Sequence, residues 1–475
     1  MGKILLVEPD FPFPNKSKNK ANSIHKNFVP IGLLKLGAYH KDRGDIVSLV
    51  RGNKKVEDIN FVPDEILITT LFTYWSTYVW NCVSHYRKIF PDSRIKLGGI
   101  YATLHKDKMK FKELTKKYDT EIFSGIIPEA EKYYPDYSLI PEIDYHATHM
   151  MRGCIRTCSF CGTWKIEPEL IYKNEKEILV ELKKIGKNKV IFYDNNLLAN
   201  PNIKNILNEF NKLRINNKPV LFESQSGFDG RLLENDKELA FLLKKARFDN
   251  IRIAWDNGLK DSESIKKQIN ILKEAGYSPK NISVFMIYNF IIPYEDMLKK
   301  IKYCYNWGVQ ITDCRNRPLE LDYDNYNPHK RNGQPKGSFY IHETSGWTDK
   351  KIRLFRKSVR QHNIEIRYAK DKGLRYDKKM EQWSAINNLY KSFKLKKVPK
   401  MIEIENSDIL KDRIVKLKKL RTFFEKTNGE FPNLGECSEK KLNKLLNHLF
   451  ELKNNSESEK AITFQNIFPQ NISEI

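Results

Sequence analysis

Residues 150–164 read MMRGCIRTCSFCGTW, and three of the chain's seven cysteines, Cys154, Cys158 and Cys161, fall within them. Three residues separate the first pair and two separate the second. Thiolates are soft ligands that hold the irons of iron–sulfur clusters. Three of them hold three irons of a four-iron cluster and leave the fourth iron without a protein ligand. An open coordination position is where a metal does chemistry, just as three-ligand zinc sites are catalytic and four-ligand ones structural. No fourth cysteine or histidine follows at short spacing. The other reading of clustered cysteines is a zinc knuckle. Such knuckles pair two C-x2-C units or add histidines, and no second unit exists here.

The chain around this loop is 475 residues long, room for two or three domains. Hydrophobic residues make up 40%, with no apolar run long enough to span a membrane. The start, MGKILLVEPD, turns acidic too soon for a signal peptide. With clustered thiols, this predicts a cytoplasmic protein without a membrane span. Cys82, Cys304, Cys314 and Cys437 have no ligand spacing and are expected to be buried free thiols. The net charge is +24, from 83 basic and 59 acidic residues. Such a balance suits an acidic partner, nucleic acid or a phosphorylated substrate. Lysine is nevertheless abundant throughout, and the clusters at 394–400 and 416–421 lack interleaved aromatics. The compositional reading therefore carries more weight.

Ahead of the loop, strands alternate with helices. KILLVE (Lys3–Glu8) is a buried strand, a helix begins near Pro30 and stops at Gly44, and a second strand follows at 46–50. Further strands are expected at 65–71, 94–97 and 121–124, with an amphipathic helix over 74–89 between the first two of these. This alternation predicts a doubly wound parallel sheet. Ligands of such sheets lie outside the carboxyl ends of the strands, where Thr69, Thr70, Gly98, Gly99 and the turn at Gly125, Pro128 and Glu129 fall. Tyr74 and Trp75 follow the third strand and suit either a flat ligand or the core. His105 is a lone histidine, more often structural.

From about residue 145 the repeat becomes regular. A strand at 146–151 leads into the cysteine loop. Asn174, with Glu177 three residues on, starts a helix that Gly186 stops. Strands at 189–193, 220–223, 251–255, 282–290 and 309–312 alternate with helices. Six such units predict a partial (β/α)6 barrel of the TIM type. In parallel barrels chemistry gathers at the carboxyl ends of the strands. Those ends carry Asp194, Asn195 and Asn196, then Glu223 and Gln225, Asp256, Asn289, Arg315 and Arg317. Beyond Pro318 a long loop over 319–346 precedes a helix capped by Thr348, and two amphipathic helices are expected near 407–426 and 438–452. The predicted domains are 1–140 (Rossmann-like), 141–320 (barrel) and 321–475 (loop and helices).

The C-x3-C-x2-C spacing, with Phe160 just before the last cysteine, resembles the radical S-adenosylmethionine (radical SAM) superfamily. The resemblance implies a [4Fe-4S] cluster on Cys154, Cys158 and Cys161, with SAM chelated at the open iron. One electron, from an external donor such as a flavodoxin or ferredoxin, then cleaves SAM to methionine and a 5′-deoxyadenosyl radical that abstracts hydrogen from a substrate. It also places SAM near Phe160, the loop at 193–196 with Asp194 and Asn195, Gln225 and Asp256. A carboxylate or amide is what an ammonium group needs, and the planar fork of Arg315 suits an anionic group.

The first domain resembles the cobalamin-binding domain of cobalamin-dependent radical SAM enzymes, through PIGLLKLGAY, ITTLF, KLGGIYAT and SGIIPEAE. This implies cobalamin near Thr69, Gly98, Gly99 and Glu129, and C-methylation as the outcome. One departure stands out: the D-x-H-x-x-G motif with a cobalt-ligating histidine is absent. Asp144-Tyr-His146-Ala-Thr-His149 comes near but lacks the glycine. The substrate is a small molecule or a peptide of unread identity. A second reading is a tRNA-modifying radical SAM enzyme without cobalamin. Methylthiotransferases of that kind carry a second cysteine trio in the N-terminal domain, where this chain has only Cys82. A third reading, of another class, is a non-catalytic metal-binding nucleic-acid module, against which the barrel pattern speaks.

Overall fold

The computed structural model describes residues 1–12, 28–326, 339–369, 378–395, 398–399, 401–426, 431, 433–435 and 437–454. Parts of the expected loop at 319–346 and of the lysine cluster at 394–400 lie outside the described residues. The chain divides into two compact units, Met1–Arg360 and Gln361–Ile475. The boundaries drawn from sequence at 140 and 320 both fall within the first unit.

Five strands open the first unit: β1 (Lys3–Glu8), β2 (Ile46–Arg51), β3 (Glu65–Thr70), β4 (Arg94–Gly99) and β5 (Thr120–Phe123). They form one sheet in the order β2-β1-β3-β4-β5, with every pair parallel. This is the flavodoxin-like doubly wound order, whose switch point lies between β1 and β3. The two-residue period of each strand explains how both faces are covered. Leu5, Val7, Ile66 and Ile68 pack with Val79, Val83 and Tyr86 of α2 (Ser76–Ile89). Ile4, Leu6 and Leu67 pack on the other side with Leu33 of α1 (Ile31–Asp42). Two short helices, α3 (Ile100–His105) and α4 (Met109–Lys117), follow β4.

Beyond this sheet come β6 (His146–Thr148), β7 (Lys189–Phe192), β8 (Leu221–Ser224), β9 (Ile251–Ala254), β10 (Ile282–Tyr288) and β11 (Gln310–Arg315). The sequence predicts a partial barrel, open on one side. The six strands pair as two three-stranded parallel sheets, β8-β7-β6 and β9-β10-β11. Among the described residues the isolated bridges Phe222↔Phe248 and Phe228↔Ile253 join them, with Arg252 reaching back to Glu223 and the Ser224 carbonyl. The reason for this pairing is local backbone geometry. Arg247 and Asn250 adopt positive φ ahead of β9, which interrupts the extended chain there. After β8 the chain turns at Gly227 (φ 76), and the Phe228 amide donates to Arg252 at 2.7 Å, taking the edge that β8 would have used.

The helices behind these strands obey their end signals. Asn174 and Glu177 form a capping box on α5 (Glu175–Ile185), and Gly186 closes it at φ 74. Phe192, Phe210, Phe222 and Phe248 stack in a column at the centre of the core. Trp347, Ile352 and Phe355 belong to that core too, which is why residues past 320 stay with the first unit. Thr348 caps the helix Asp349–Ile364 as expected. The second unit packs the helices Lys378–Ser392, Asp408–Lys426 and Glu439–Asn454 around Phe393, Leu417 and Leu446. Among the described residues no helix is long and apolar enough to cross a membrane. Of the scattered cysteines, Cys82 and Cys304 are buried, but Cys437 is half-buried and Cys314 exposed. Strand alternation explains the last, putting Cys314 on the face opposite the buried Ile311.

Candidate functional site: the cysteine loop

The expected strand at 146–151 ends early. β6 stops at Thr148, and Met151–Arg152 pairs antiparallel with Ile171–Tyr172. Asp194 causes the break. Its fully buried carboxylate accepts from the Met150 amide at 3.0 Å and the Met151 amide at 2.6 Å, in place of a strand partner. Burial pushes this carboxyl up to about 7, against the pull of those amides. Asn200 donates to the Met150 carbonyl at 3.0 Å and completes the brace. The chain then passes Gly153 at φ 78, where a Cβ would lie 2.5 Å from the Glu169 carbonyl, so glycine is required.

Cys154, Cys158 and Cys161 follow, all free and half-buried. Burial raises the Cys158 thiol, and the negative neighbours Asp256, Cys161 and Cys154 add to that, so all three lie within electrostatic range of Cys158. Among the described residues no group of three His, Cys, Asp or Glu converges as a single metal ion requires. A four-iron cubane asks for something looser, since each thiolate binds a different iron. Three free soft donors on one loop fit that group.

The loop is held from three directions. Glu167 accepts from the Gly153 amide at 2.8 Å and pairs with Arg152 at 2.9 Å. Asn195 donates to Glu167 at 3.3 Å and accepts from the Thr163 hydroxyl at 3.0 Å; that hydroxyl lies 3.2 Å from the Cys161 sulfur. Trp164 donates its indole N–H to the Cys158 carbonyl at 3.3 Å. On the far side, Asp229 bridges Arg156 at 3.0 Å and Arg231 at 2.7 Å. Thr163 lies in the cysteine stretch, but Glu167, Asp229 and Arg231 belong to no recognisable motif. The signal that could have found them is proximity to the loop after folding.

The other residues expected near SAM divide. Phe160 packs edge-on against Phe290 at 5.9 Å. Asn195 is exposed, and Gln225 is half-buried, its backbone N–H donating to the Phe192 carbonyl at 2.8 Å. Beside them, the Asn196 side-chain oxygen is buried and lacks a hydrogen-bond partner. Burial pushes Asp256 up to about 6, against Lys300 and Arg231. Lys300 is itself fully buried and donates to the Trp255 and Asn257 carbonyls at 2.7 and 2.9 Å, fixing the turn that carries Asp256.

Arg315 and Asn289, expected at the barrel mouth, are spent on the chain itself. Arg315 pairs with Asp324 at 2.9 Å and stacks on Tyr326. Asn289, at φ 56, holds the backbone of Asn316, Tyr340 and His342. His146 lies 3.0 Å from Glu181, which also binds Thr148 and Lys173 at 2.6 Å each. Burial alone would raise Glu181; the His146 hydrogen bond and the Lys173 charge outweigh it and hold the carboxyl at about 2. His149 is buried against Arg152, and burial lowers its pKa well below the usual histidine value.

At the edge of the first sheet, Thr69 and Gly98 are half-buried and face each other in register. Gly99 has φ 107, and a Cβ there would lie 2.3 Å from the Thr70 carbonyl. Thr70 accepts from the Ala102 amide at 3.0 Å, and Glu129 is exposed. Tyr74 stacks beneath Arg317, and Trp75 stacks on Phe11. His105 is buried between the Leu319 carbonyl at 2.7 Å and Asp322 at 2.9 Å.

Residues 148–304 match the family profile described as the radical SAM superfamily, with the cysteine loop near the start of the match. The cofactors that family implies are a [4Fe-4S] cluster and SAM. No curated protein matches the chain. Among solved structures it is similar to the cobalamin-dependent SAM radical enzyme OxsB, with aqua-cobalamin and SAM bound. That match has 13% identity and a TM-score of 0.47, covering 64% of this chain and 52% of OxsB. Streptococcus suis SuiB bound to SAM matches at 14% identity and a TM-score of 0.32, covering 57% of this chain and 60% of SuiB. Methylornithine synthase PylB matches at 14% identity and a TM-score of 0.27, covering 46% of this chain and 62% of PylB. The chain thus spans about half the length of OxsB.

Proposed function

We propose that the protein is a radical SAM enzyme that abstracts hydrogen from a small-molecule or peptide substrate. The observation that carries this is the trio of free, half-buried thiols on one braced loop inside the matched stretch. A cluster held by these thiols supplies, when bound, the electron that cleaves SAM, itself received from a flavodoxin- or ferredoxin-type donor. The chain's own residues have distinct tasks. Cys154, Cys158 and Cys161 hold the metal. Asp194 and Asn200 fix the strand end from which the loop departs. Phe160, Asn195, Gln225 and Asp256 are the proposed SAM-facing residues, and Lys300 sets the turn of the last.

The finer reading gives the first sheet a cobalamin and the reaction a methyl-transfer outcome. The flavodoxin-like order and the half-buried Thr69 and Gly98 at the carboxyl ends of β3 and β4 support it. His105 is engaged with the Leu319 carbonyl and Asp322, so it is not among the residues that would hold the cofactor.

Anaerobic reconstitution with iron and sulfide tests the main reading. Iron and sulfide near four per chain, with methionine and 5′-deoxyadenosine formed from SAM and reductant, support it. A protein that takes up only zinc overturns it. Cobalt analysis and corrin absorption bands test the finer reading by itself.

A further inference from the structure

We propose that Thr163, Asn195 and Glu167 form a relay that sets the hydrogen bond received by the Cys161 sulfur, and through it the reduction potential of the cluster. The inference rests on the reading of the three cysteines as cluster ligands. The Thr163 hydroxyl stands 3.2 Å from the sulfur and 3.0 Å from the Asn195 side-chain oxygen. The Asn195 amide has one orientation here, because its nitrogen donates to Glu167 at 3.3 Å. Glu167 is in turn fixed by the Gly153 amide at 2.8 Å and by Arg152 at 2.9 Å.

A hydroxyl has a single proton to donate. In the free thiol, Cys161 donates to Thr163 and Thr163 donates onward to Asn195. A metal-bound sulfur has lost its proton, so the Thr163 proton is then contested between Asn195 and the sulfur. Hydrogen bonds to cluster sulfurs help set the potential. They favour the reduced state, whose sulfurs carry more negative charge. Thr163 therefore raises the potential, and Asn195, by drawing the proton away, lowers it. This makes Asn195 a positioning residue. The Thr163 backbone N–H, 3.5 Å from the same sulfur, is common to every side-chain variant.

The test is an EPR-monitored redox titration of the full chain, anaerobically reconstituted, with iron and sulfide measured on the same samples. Thr163→Val is expected to shift the midpoint down, with about fivefold less cluster reduced at a fixed potential. Thr163→Ser restores the wild-type value, and Asn195→Ala shifts the midpoint up. Opposite signs from two neighbouring substitutions are not what loss of packing produces. Should Thr163→Val fail to take up iron, the sign of Asn195→Ala decides alone. A midpoint equal to or below wild type overturns the relay, while wild-type iron content leaves the cluster reading standing. A wild-type chain that holds no iron–sulfur cluster removes both.

Discussion

At the carboxyl edge of the first sheet, the Gly99 carbonyl accepts from the Thr103 hydroxyl, and Thr70 and His105 are likewise satisfied by neighbouring groups of the chain itself. At the edge of β6 and β7, Asp194, Asn195 and Glu167 are turned onto a loop whose three thiols stay half-exposed. Both edges belong to parallel sheets, and both occupy the position where such sheets bind ligands. The difference is what the polar side chains hold. In the first edge they hold strand to helix. In the second they hold a loop in a pose that leaves soft donors available. A strand end is thus a functional site by virtue of what its braces leave uncommitted.

The largest expected effect breaks the second edge alone. Cys158→Ala should cut iron retained per chain by roughly tenfold or more after reconstitution, while Cys82→Ala, in α2 beside the first sheet, keeps it. Iron analysis and visible absorption read this directly. Equal iron in both variants would mean the loop does not hold the metal.

Next comes a change confined to the first edge. Gly99→Ala places a methyl 2.3 Å from the Thr70 carbonyl in a left-handed conformation. Overpacking and positive φ together should cost about 3 kcal/mol, read as a lower urea midpoint. Iron per folded chain should stay at the wild-type level. If iron is lost as well, the two edges are not independent.

The third sharpens the comparison through pH. Glu181, beneath β6, has its carboxyl held at about 2 against an ordinary 4.5. A lowered carboxylate contributes stability that is present above 4.5 and is lost as pH falls towards 2. Glu181→Gln should therefore cost about 3 kcal/mol at neutral pH, with the gap closing below pH 4.5. Urea unfolding at a series of pH values checks this, and a pH-independent gap would put the cost in packing instead.

Much of this arrangement was legible in the chain. The near-continuous apolar run of KILLVE, the Asn174–Glu177 box and the Gly186 stop each specify a local structure through nearby residues, and each appears as read. The cysteine spacing likewise needed no partner elsewhere. Legibility failed where a contact spans distant positions. Arg315 looked free for an anion until Asp324 folded onto it, and the strand–helix repeat gave no sign that its six strands pair as two sheets of three. The braces Glu167 and Asp229 sit in no periodic pattern, because their role depends on where the loop lies in space.

Sequence by itself determined the soft-donor trio, the strand–helix alternation and the helix ends, since each is set by spacing within a few residues. Tertiary structure alone decided the β2-β1-β3-β4-β5 order, the split into two three-stranded sheets and which polar groups support the loop. Those features join residues tens of positions apart. Only packing, by choosing which backbone amides and charges each side chain meets, determines whether a strand-end residue is a brace or remains free for a ligand.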